Sequence, residues 1–305
     1  MTADPIDPTA APSTYGFEPG LLSGRVAVIS AAGGAIGSSI AIVMASLGAD
    51  VIATDIDGER LAALESRLHP AHQGTITTVV ADLCTESGVA ELAEVARSGA
   101  GPVDILVNGL GEHLGSVAPF EDGTEEMWQR LYEVNVLHVF RLCREFVPMM
   151  KAGGWGRILN FSSVEGARAA PDLAVYAAFK RAVDGFTKSL AVELAPSGII
   201  VNAIAVDKTR AYQVGHYQLP DEYQRLVPVW IPAGHYAEPE EVAKLAVFLA
   251  GPMNTWVVGD TVTADGGTLS AGGWFRTPAR WTNQPLLVQY LEDPAANEVR
   301  PRAVQ

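Results

Sequence analysis

From Arg25 onward, short β-branched runs alternate with longer segments of helical period. The runs are RVAVIS, ADVIATD, TITTVV, VDILVN, GRILNFS, IIVNAIAV and DTVTAD. Several are apolar at nearly every position, the pattern of strands covered by helices on both faces of a parallel sheet. The segments between them carry apolar residues three and four apart. In the first, Ile36, Ile40, Val43, Met44 and Leu47 fall on one helical face. Seven strands alternating with about six helices predict an α/β, doubly wound Rossmann-type fold. Its seven-stranded parallel sheet is flanked by helices and joined by right-handed crossovers.

Two stretches break the alternation. Residues 206–238 have no clear period and hold Tyr212, Tyr217, Tyr223, Trp230 and Tyr236. The segment after Gly267 adds Trp274, Phe275, Trp281 and Tyr290. Residues 1–22, rich in Pro, Ala, Asp and Thr, read as a flexible leader. The expected division is a leader over 1–22, one α/β domain over 23–268 and an extension over 269–305.

Composition narrows the function classes. With 305 residues, 48% hydrophobic and 18% charged, the chain can bury a sizeable core. A formal net charge of -14 and the lack of any basic run argue against nucleic-acid binding. Cys84 and Cys143 stand in no metal-ligand spacing, and no metal is expected. The N-terminus has neither a basic start nor an apolar core, and no apolar run approaches the roughly 20 residues of a membrane span. A cytoplasmic protein with no membrane partner is the expectation.

The chemistry begins where the first strand ends. Ser30-Ala31-Ala32-Gly33-Gly34-Ala35-Ile36-Gly37 runs from strand directly into helix. Such a turn brings backbone N–H groups and a helix N-terminus to a pyrophosphate; the plain alternative is a tight turn with small packing residues. Asp55 ends the second strand 18 residues after Gly37. Its carboxylate can accept hydrogen bonds from ribose hydroxyls and would repel a 2′-phosphate, which favours NAD over NADP. The alternative is a solvated turn Asp beside Asp57 and Glu59. Further on, a strand ends near Ser162 and Ser163, and the next helix carries Tyr176 and Lys180, four apart on one face. A cation beside a phenol draws its pKa down from about 10 toward a range useful for proton transfer. Ser163 could then hydrogen-bond a substrate oxygen.

Together these residues resemble the short-chain dehydrogenase/reductase family over roughly residues 23 to 268. The family's cofactor turn corresponds to Ser30–Gly37, and its adenine-contacting pair to Asp82 and Leu83. Its Asn-Asn-Ala-Gly segment corresponds to Asn108-Gly109-Leu110-Gly111, and Thr209 falls among the cofactor contacts. Asn135 matches the helix asparagine of the proton relay. Ser163, Tyr176 and Lys180 match the active-site trio. Pro239-Glu240-Glu241-Val242-Ala243 and Asp265-Gly266-Gly267 resemble the last helix and strand. The resemblance implies hydride transfer between NAD and a secondary alcohol or ketone. Tyr176 would be the acid/base, Ser163 would position the oxygen and Lys180 would hold the nicotinamide ribose and lower the Tyr176 pKa. Asn135 would bind a relay water through a distortion of its helix.

The resemblance also makes 206–238 a substrate lid and implies a homo-oligomer, tetramer or dimer. Tyr212 and Trp230 with their aromatic neighbours, and His113 and Glu165 as polar contacts, are the candidate substrate residues for a bulky apolar or aromatic alcohol. Two other readings stay open: a nicotinamide-binding sensor or scaffold without turnover, and an epimerase or dehydratase that retains its NAD. Four departures from the family pattern stand out. Ala31 and Ala35 replace glycines, Gly109-Leu110 replaces Asn-Ala, Phe179 either packs or narrows the site, and Val206-Asp207 replaces Pro-Gly. A carboxylate at 207 either faces the nicotinamide and favours its oxidised, cationic form, or faces solvent.

Overall fold

Alternate residues of the first strand enter different cores. In β1 (Val26–Ser30), Val26 and Val28 join a buried cluster with Leu106, Leu142, Phe146 and Leu194. Ala27 and Ile29 join a second with Ile40, Val43, Leu47 and Val247. A strand covered on both faces has no polar side to show, hence its uniformly apolar sequence. The computed structural model describes residues 15–67, 73–99, 101–210, 226–276 and 281–283. Six further strands complete the main sheet: β2 (Asp50–Asp55), β3 (Ile76–Val80), β4 (Ile105–Asn108), β5 (Gly156–Ser163), β6 (Ile199–Val206) and β7 (Thr261–Ala264). All pairings are parallel, in the order β3-β2-β1-β4-β5-β6-β7. Each strand falls on an expected run, β5 extending one residue past it to Ser163.

The α-helices among the described residues are α1 (Ala35–Ser46), α2 (Gly58–Glu65), α3 (Glu86–Ser98), α4 (Glu125–Tyr132), α5 (His138–Gly153), α6 (Ala174–Leu194), α7 (Val227–Trp230), α8 (Pro239–Ala250) and α9 (Thr268–Ala271). Residues of α3, α5 and α6 fill the first cluster, and residues of α1, α2 and α8 the second. One expectation changes here. Helix α1 is buried from Gly37 to Ser46 all round, not on one face, because α8 packs on it from outside. Ser39 Oγ accordingly donates to Glu240 Oε1 at 3.1 Å.

The domain also starts earlier than composition suggested. Tyr15 and Leu22 are buried at 4% and 0% exposure, and Leu22 N donates to Leu47 O at 2.9 Å. Residues 15–22 therefore belong to the packed body, where Leu22 seals the end of α1. Beyond β7, β8 (Phe275–Arg276) and β9 (Trp281–Thr282) pair as a short antiparallel ribbon, with β8 beside α7.

At the amino-terminal rim of the sheet, the Arg25 and Arg157 guanidiniums lie 3.8 and 4.3 Å from the Trp155 ring centroid. Arg157 is buried and donates to the carbonyls of Gly156 at 2.8 Å and Asn254 at 3.1 Å, tying β5 to the loop before β7. Arg157→Met strands those carbonyls and is expected to destabilise the fold by about 2–3 kcal/mol. Urea unfolding measures this, and a midpoint equal to wild type would refute it.

Candidate active site

Strand order reverses at the β1–β4 pair, so a crevice opens at their carboxyl ends. Ser30 and Asn108 terminate the two strands. Ser30 Oγ accepts from Gly109 N at 2.9 Å and Leu110 N at 3.3 Å and donates to Val107 O, bracing the crevice floor. Asn108 is buried, its Nδ2 donating to Asn160 Oδ1 at 2.8 Å, and Asn160 Nδ2 donates on to Thr187 Oγ1 at 2.9 Å. Both are expected among the cofactor contacts; their side chains also hold partners within the protein, while Asn108 Oδ1 is buried with no hydrogen-bond partner among the described residues. Thr209 is likewise buried, with Oγ1 3.4 Å from Asp207 O.

On one arm of the crevice lies the glycine turn. Ala31 takes φ 54°, a left-handed conformation that costs an L-residue about 1–2 kcal/mol. Gly37 cannot be replaced cheaply: a Cβ there would sit 2.2 Å from Ala31 O. Ile36 is half-buried against the core. Asp57, Thr85 and Thr124 cap α2, α3 and α4, whereas α1 starts at Gly34 with no side-chain cap and no acidic residue in its first turn. An uncapped N-terminus aimed at a crevice suits an anion. Asp55 closes this arm, accepting from Gly33 N and Asp57 N at 3.0 Å each through different oxygens. Each oxygen keeps a second lone pair for a ribose hydroxyl. Farther out, Asp82 Oδ1 accepts from Cys84 N at 2.9 Å, and Leu83 is buried.

On the other arm stand the candidate catalytic groups. Between α4 and α5 the helix widens into a π turn, Glu133–Leu137, with Asn135 at its centre. Such turns leave the regular hydrogen-bond ladder disturbed and recur at functional sites. The Asn135 side chain is held on three sides: Nδ2 donates to Glu112 O at 2.8 Å and Leu131 O at 2.9 Å, and Oδ1 accepts from Glu112 N at 3.1 Å. Lys180 is buried and donates to Phe161 O at 3.1 Å, with Nζ 5.8 Å from the Tyr176 ring centroid. Gly111 leaves space for that ammonium, since a Cβ there would meet Nζ at 2.3 Å. The His113 ring stands edge-on to Tyr176, centroids 6.2 Å apart.

Burial decides the protonation states. It pushes the Tyr176 phenol up to about 12; a hydrogen bond with Ser163 works against this, while the carboxylates of Glu165 and Glu112 add to it. Lys180 is pulled down to about 8 by the same desolvation, partly offset by Asp184. The depression of the phenol expected from Lys180 is not seen in this structure, where burial dominates. His138, at the end of the π turn, is driven down to about 3 by burial and by Lys180, so its ring is neutral.

Two neighbours of this centre correct the reading of the departures. Asp207 is not solvent-facing: its side chain is 4% exposed and pairs with Arg168 at 3.2 Å. Arg168 also pairs with Glu165 at 3.0 Å. Phe179 packs on Tyr132, ring centroids 5.8 Å apart.

Part of the expected aromatic lining falls among the described residues. Tyr212, Tyr217, Tyr223 and Tyr290 lie outside the described residues. Trp230 packs edge-on against Tyr236 within a small cluster of Val227 and Ile231. Among the described residues, the cavity that reaches Tyr176, about 220 Å³, is lined by Phe120, Met127, Trp128, Leu131 and Val175 among others. Phe120 and Trp128 stack at 5.5 Å. The segment FEDGTEEMWQRL shows the helix cap at Thr124, but nothing in its pattern points the stacked pair toward Tyr176.

Residues 31–268 match the family model described as enoyl-(acyl carrier protein) reductase. The chain belongs to the short-chain dehydrogenase/reductase family. It is 32% identical to a D-beta-hydroxybutyrate dehydrogenase of Rhizobium meliloti, over 80% of this chain and 98% of that one. It is 30% identical to the 7alpha-hydroxysteroid dehydrogenase of Escherichia coli K12, over 81% of this chain and 94% of that one. A solved structure of a 7 alpha-hydroxysteroid dehydrogenase with NADH and 7-oxo glycochenodeoxycholic acid has a TM-score of 0.75 to it at 30% identity, with the same coverage. The L-sorbose reductase of Gluconobacter frateurii, solved with NADPH and L-sorbose, has a TM-score of 0.74 at 30% identity, covering 81% of this chain and 97% of that one. This dehydrogenase is an NAD(P)-dependent oxidoreductase acting on CH–OH groups. The site fits such a dinucleotide: an uncapped α1 for its phosphates, Asp55 for one ribose, and the Lys180 ammonium, for which Gly111 leaves space, for the other end. Among the described residues, no helix is long and apolar enough to cross a membrane, and no His, Cys, Asp and Glu cluster could hold a metal ion.

Proposed function

We propose that this chain interconverts a bulky apolar or aromatic secondary alcohol and its ketone, using NAD rather than NADP. The observation that carries the reaction is the convergence of Ser163, Tyr176, Lys180 and the Asn135 π turn on one arm of the crevice. When bound, the dinucleotide supplies the hydride acceptor or donor, and its nicotinamide cation favours a neighbouring phenolate. Tyr176 takes the hydroxyl proton from the alcohol or returns it to the ketone. Ser163, within hydrogen-bond reach of that phenol, orients the substrate oxygen. Lys180, neutralised more easily than a free lysine, passes a proton between Tyr176 and the π turn. The apolar cavity at Tyr176 supports a hydrophobic substrate body, since such walls reward burial and leave orientation to a few polar groups. Phe140 and Val192, exposed on α5 and α6, support a contact with a second copy of the chain.

The test is a panel of secondary alcohols and ketones (small, aromatic, terpenoid and steroidal) assayed with NAD+ and NADP+ side by side. Net NADH formation from an aromatic or polycyclic alcohol is expected; no net NADH from any panel member would sink the reading in favour of a sensor or an epimerase. Asp55 makes the cofactor claim separately testable. Its carboxylate should set kcat/KM for NAD+ at least about 100-fold above NADP+, because like charges at contact cost several kcal/mol. Asp55→Asn should narrow that ratio at least tenfold. Equal use of the two cofactors by wild type would overturn the preference.

A further inference from the structure

Arg168 sits among more charge than any family-level reading of the site uses. It follows β5, Asp207 follows β6 and Thr268 follows β7, so three adjacent strand ends meet at this guanidinium. Its Nε and Nη2 donate to the two oxygens of Glu165 at 3.3 and 3.0 Å, and Nη2 also reaches Asp207 Oδ1 at 3.2 Å. The second Asp207 oxygen accepts from Thr268 Oγ1, and Thr268 leans on Asp265 at 3.4 Å. All four oxygens of Glu165 and Asp207 are thus taken, three by Arg168 itself. The cluster borders the chemistry directly. Glu165 N donates to Ser163 Oγ at 3.2 Å, and Val206, one residue before Asp207, is the register partner of Ser163.

The charges do not cancel. Glu165 and Asp207 contribute two negatives and Arg168 one positive, leaving the clasp with one net negative, in addition to Asp265 beyond Thr268 and to Glu112 and Lys180 at Tyr176. Without the guanidinium there would be two, one of them on a side chain only 4% exposed. Partly buried charges at this range act through a low effective dielectric and are poorly screened by salt. A dinucleotide with its phosphates at α1 and a ribose at Asp55 must extend its other half across the crevice toward this arm.

We propose that Arg168 is a positioning residue that sets the charge of the reacting end, masking Asp207 and Glu165 and holding the Ser163 turn. This rests on the dinucleotide reading above. Masking keeps the site from over-favouring the cationic, oxidised nicotinamide and from raising the Tyr176 phenol further. The carboxylate at 207 is therefore a charge matched by Arg168, and the departure from the family pattern at 206–207 is one half of a pair.

The experiment compares wild type, Arg168→Met, Arg168→Lys and the double variant Arg168→Met/Asp207→Asn. Dissociation constants of NAD+ and NADH come from fluorescence titration, and thermal unfolding of each variant is recorded. The double variant carries the same net charge as wild type but has lost the clasp. Arg168→Met should shift the affinity ratio toward NAD+ by about tenfold or more. The double variant should recover most of that shift, and Arg168→Lys should stay within about threefold of wild type. The acid limb for 1-phenylethanol oxidation should move to higher pH in Arg168→Met and return in the double variant. An unchanged ratio in a folded Arg168→Met protein overturns the proposal. So does a shift that the double variant fails to reverse, since that marks a purely structural clasp. Should Arg168→Met fail to fold, a double variant whose ratio departs from wild type overturns it equally. A wild type binding neither dinucleotide refutes the parent reading and this inference with it, by a different signature.

Discussion

Tyr176→Phe is expected to lower kcat for alcohol oxidation by about 10³-fold while leaving NADH affinity nearly unchanged. Positioned acid/base groups contribute roughly 10²- to 10⁴-fold, and the phenol oxygen is the one group here that can exchange a proton with the substrate oxygen while being backed by a buried ammonium. Removing it leaves the ring, and hence the packing against His113, in place. The sign of the pH dependence follows from burial. The phenol is held up at about 12, so at neutral pH it is protonated, ready to donate to a ketone and short of phenolate to accept from an alcohol. Oxidation should therefore rise with pH through the neutral range, while reduction should stay level, because the phenol remains protonated throughout it. In Tyr176→Phe the oxidation slope should flatten. A variant that keeps the wild-type rate and slope would remove Tyr176 from the mechanism.

The second large effect is expected at the opposite arm. Gly37→Ala should abolish measurable dinucleotide binding, a loss of at least about 100-fold, and cost the fold about 1–3 kcal/mol. Its Cβ would lie 2.2 Å from Ala31 O, 2.9 Å from Ala31 C and 3.0 Å from Ala32 Cα, all backbone atoms with no side chain to swing aside. Relief requires the turn to move off α1, which takes the helix N-terminus away from the phosphate position. Titration with NADH and urea unfolding measure the two parts. An alanine variant that binds NADH as wild type does would show that the turn is looser than its contacts imply.

The inner strands were legible in the sequence because strands buried on both faces are largely apolar, whereas the half-exposed edge strands β3 and β7 were placed by their β-branched runs and the alternation with helices. The reacting residues were legible because their order along the chain is constrained: Ser163 must end a strand and Tyr176 must lie on the helix after it. What a one-dimensional pattern could not carry was partnership across elements. Asp207 looked like a lone carboxylate, because Arg168 lies 39 positions away and nothing local links them. The segments holding Ser30 and Asn108 were legible as cofactor contacts by resemblance, but not the hydrogen bonds that tie their side chains to Gly109 and Asn160. The aromatic lining was sought in 206–238, where aromatics are dense. Among the described residues the cavity at Tyr176 uses Phe120 and Trp128, whose stacking depends on how the turn before α4 folds back, while Tyr212, Tyr217 and Tyr223 lie outside them. Leu22 was hidden by the polar composition around it.

The two guanidiniums flanking Trp155 lie at the rim of the sheet farthest from Tyr176. Fastening and chemistry thus occupy opposite ends of the same strands, β5 carrying Arg157 at one end and Ser163 at the other. Endurance and speed become separable properties of this chain. Selection for survival in heat can act on the Arg25–Trp155–Arg157 stack without touching a reacting atom, and selection for a new alcohol can act around Tyr176 without loosening that stack.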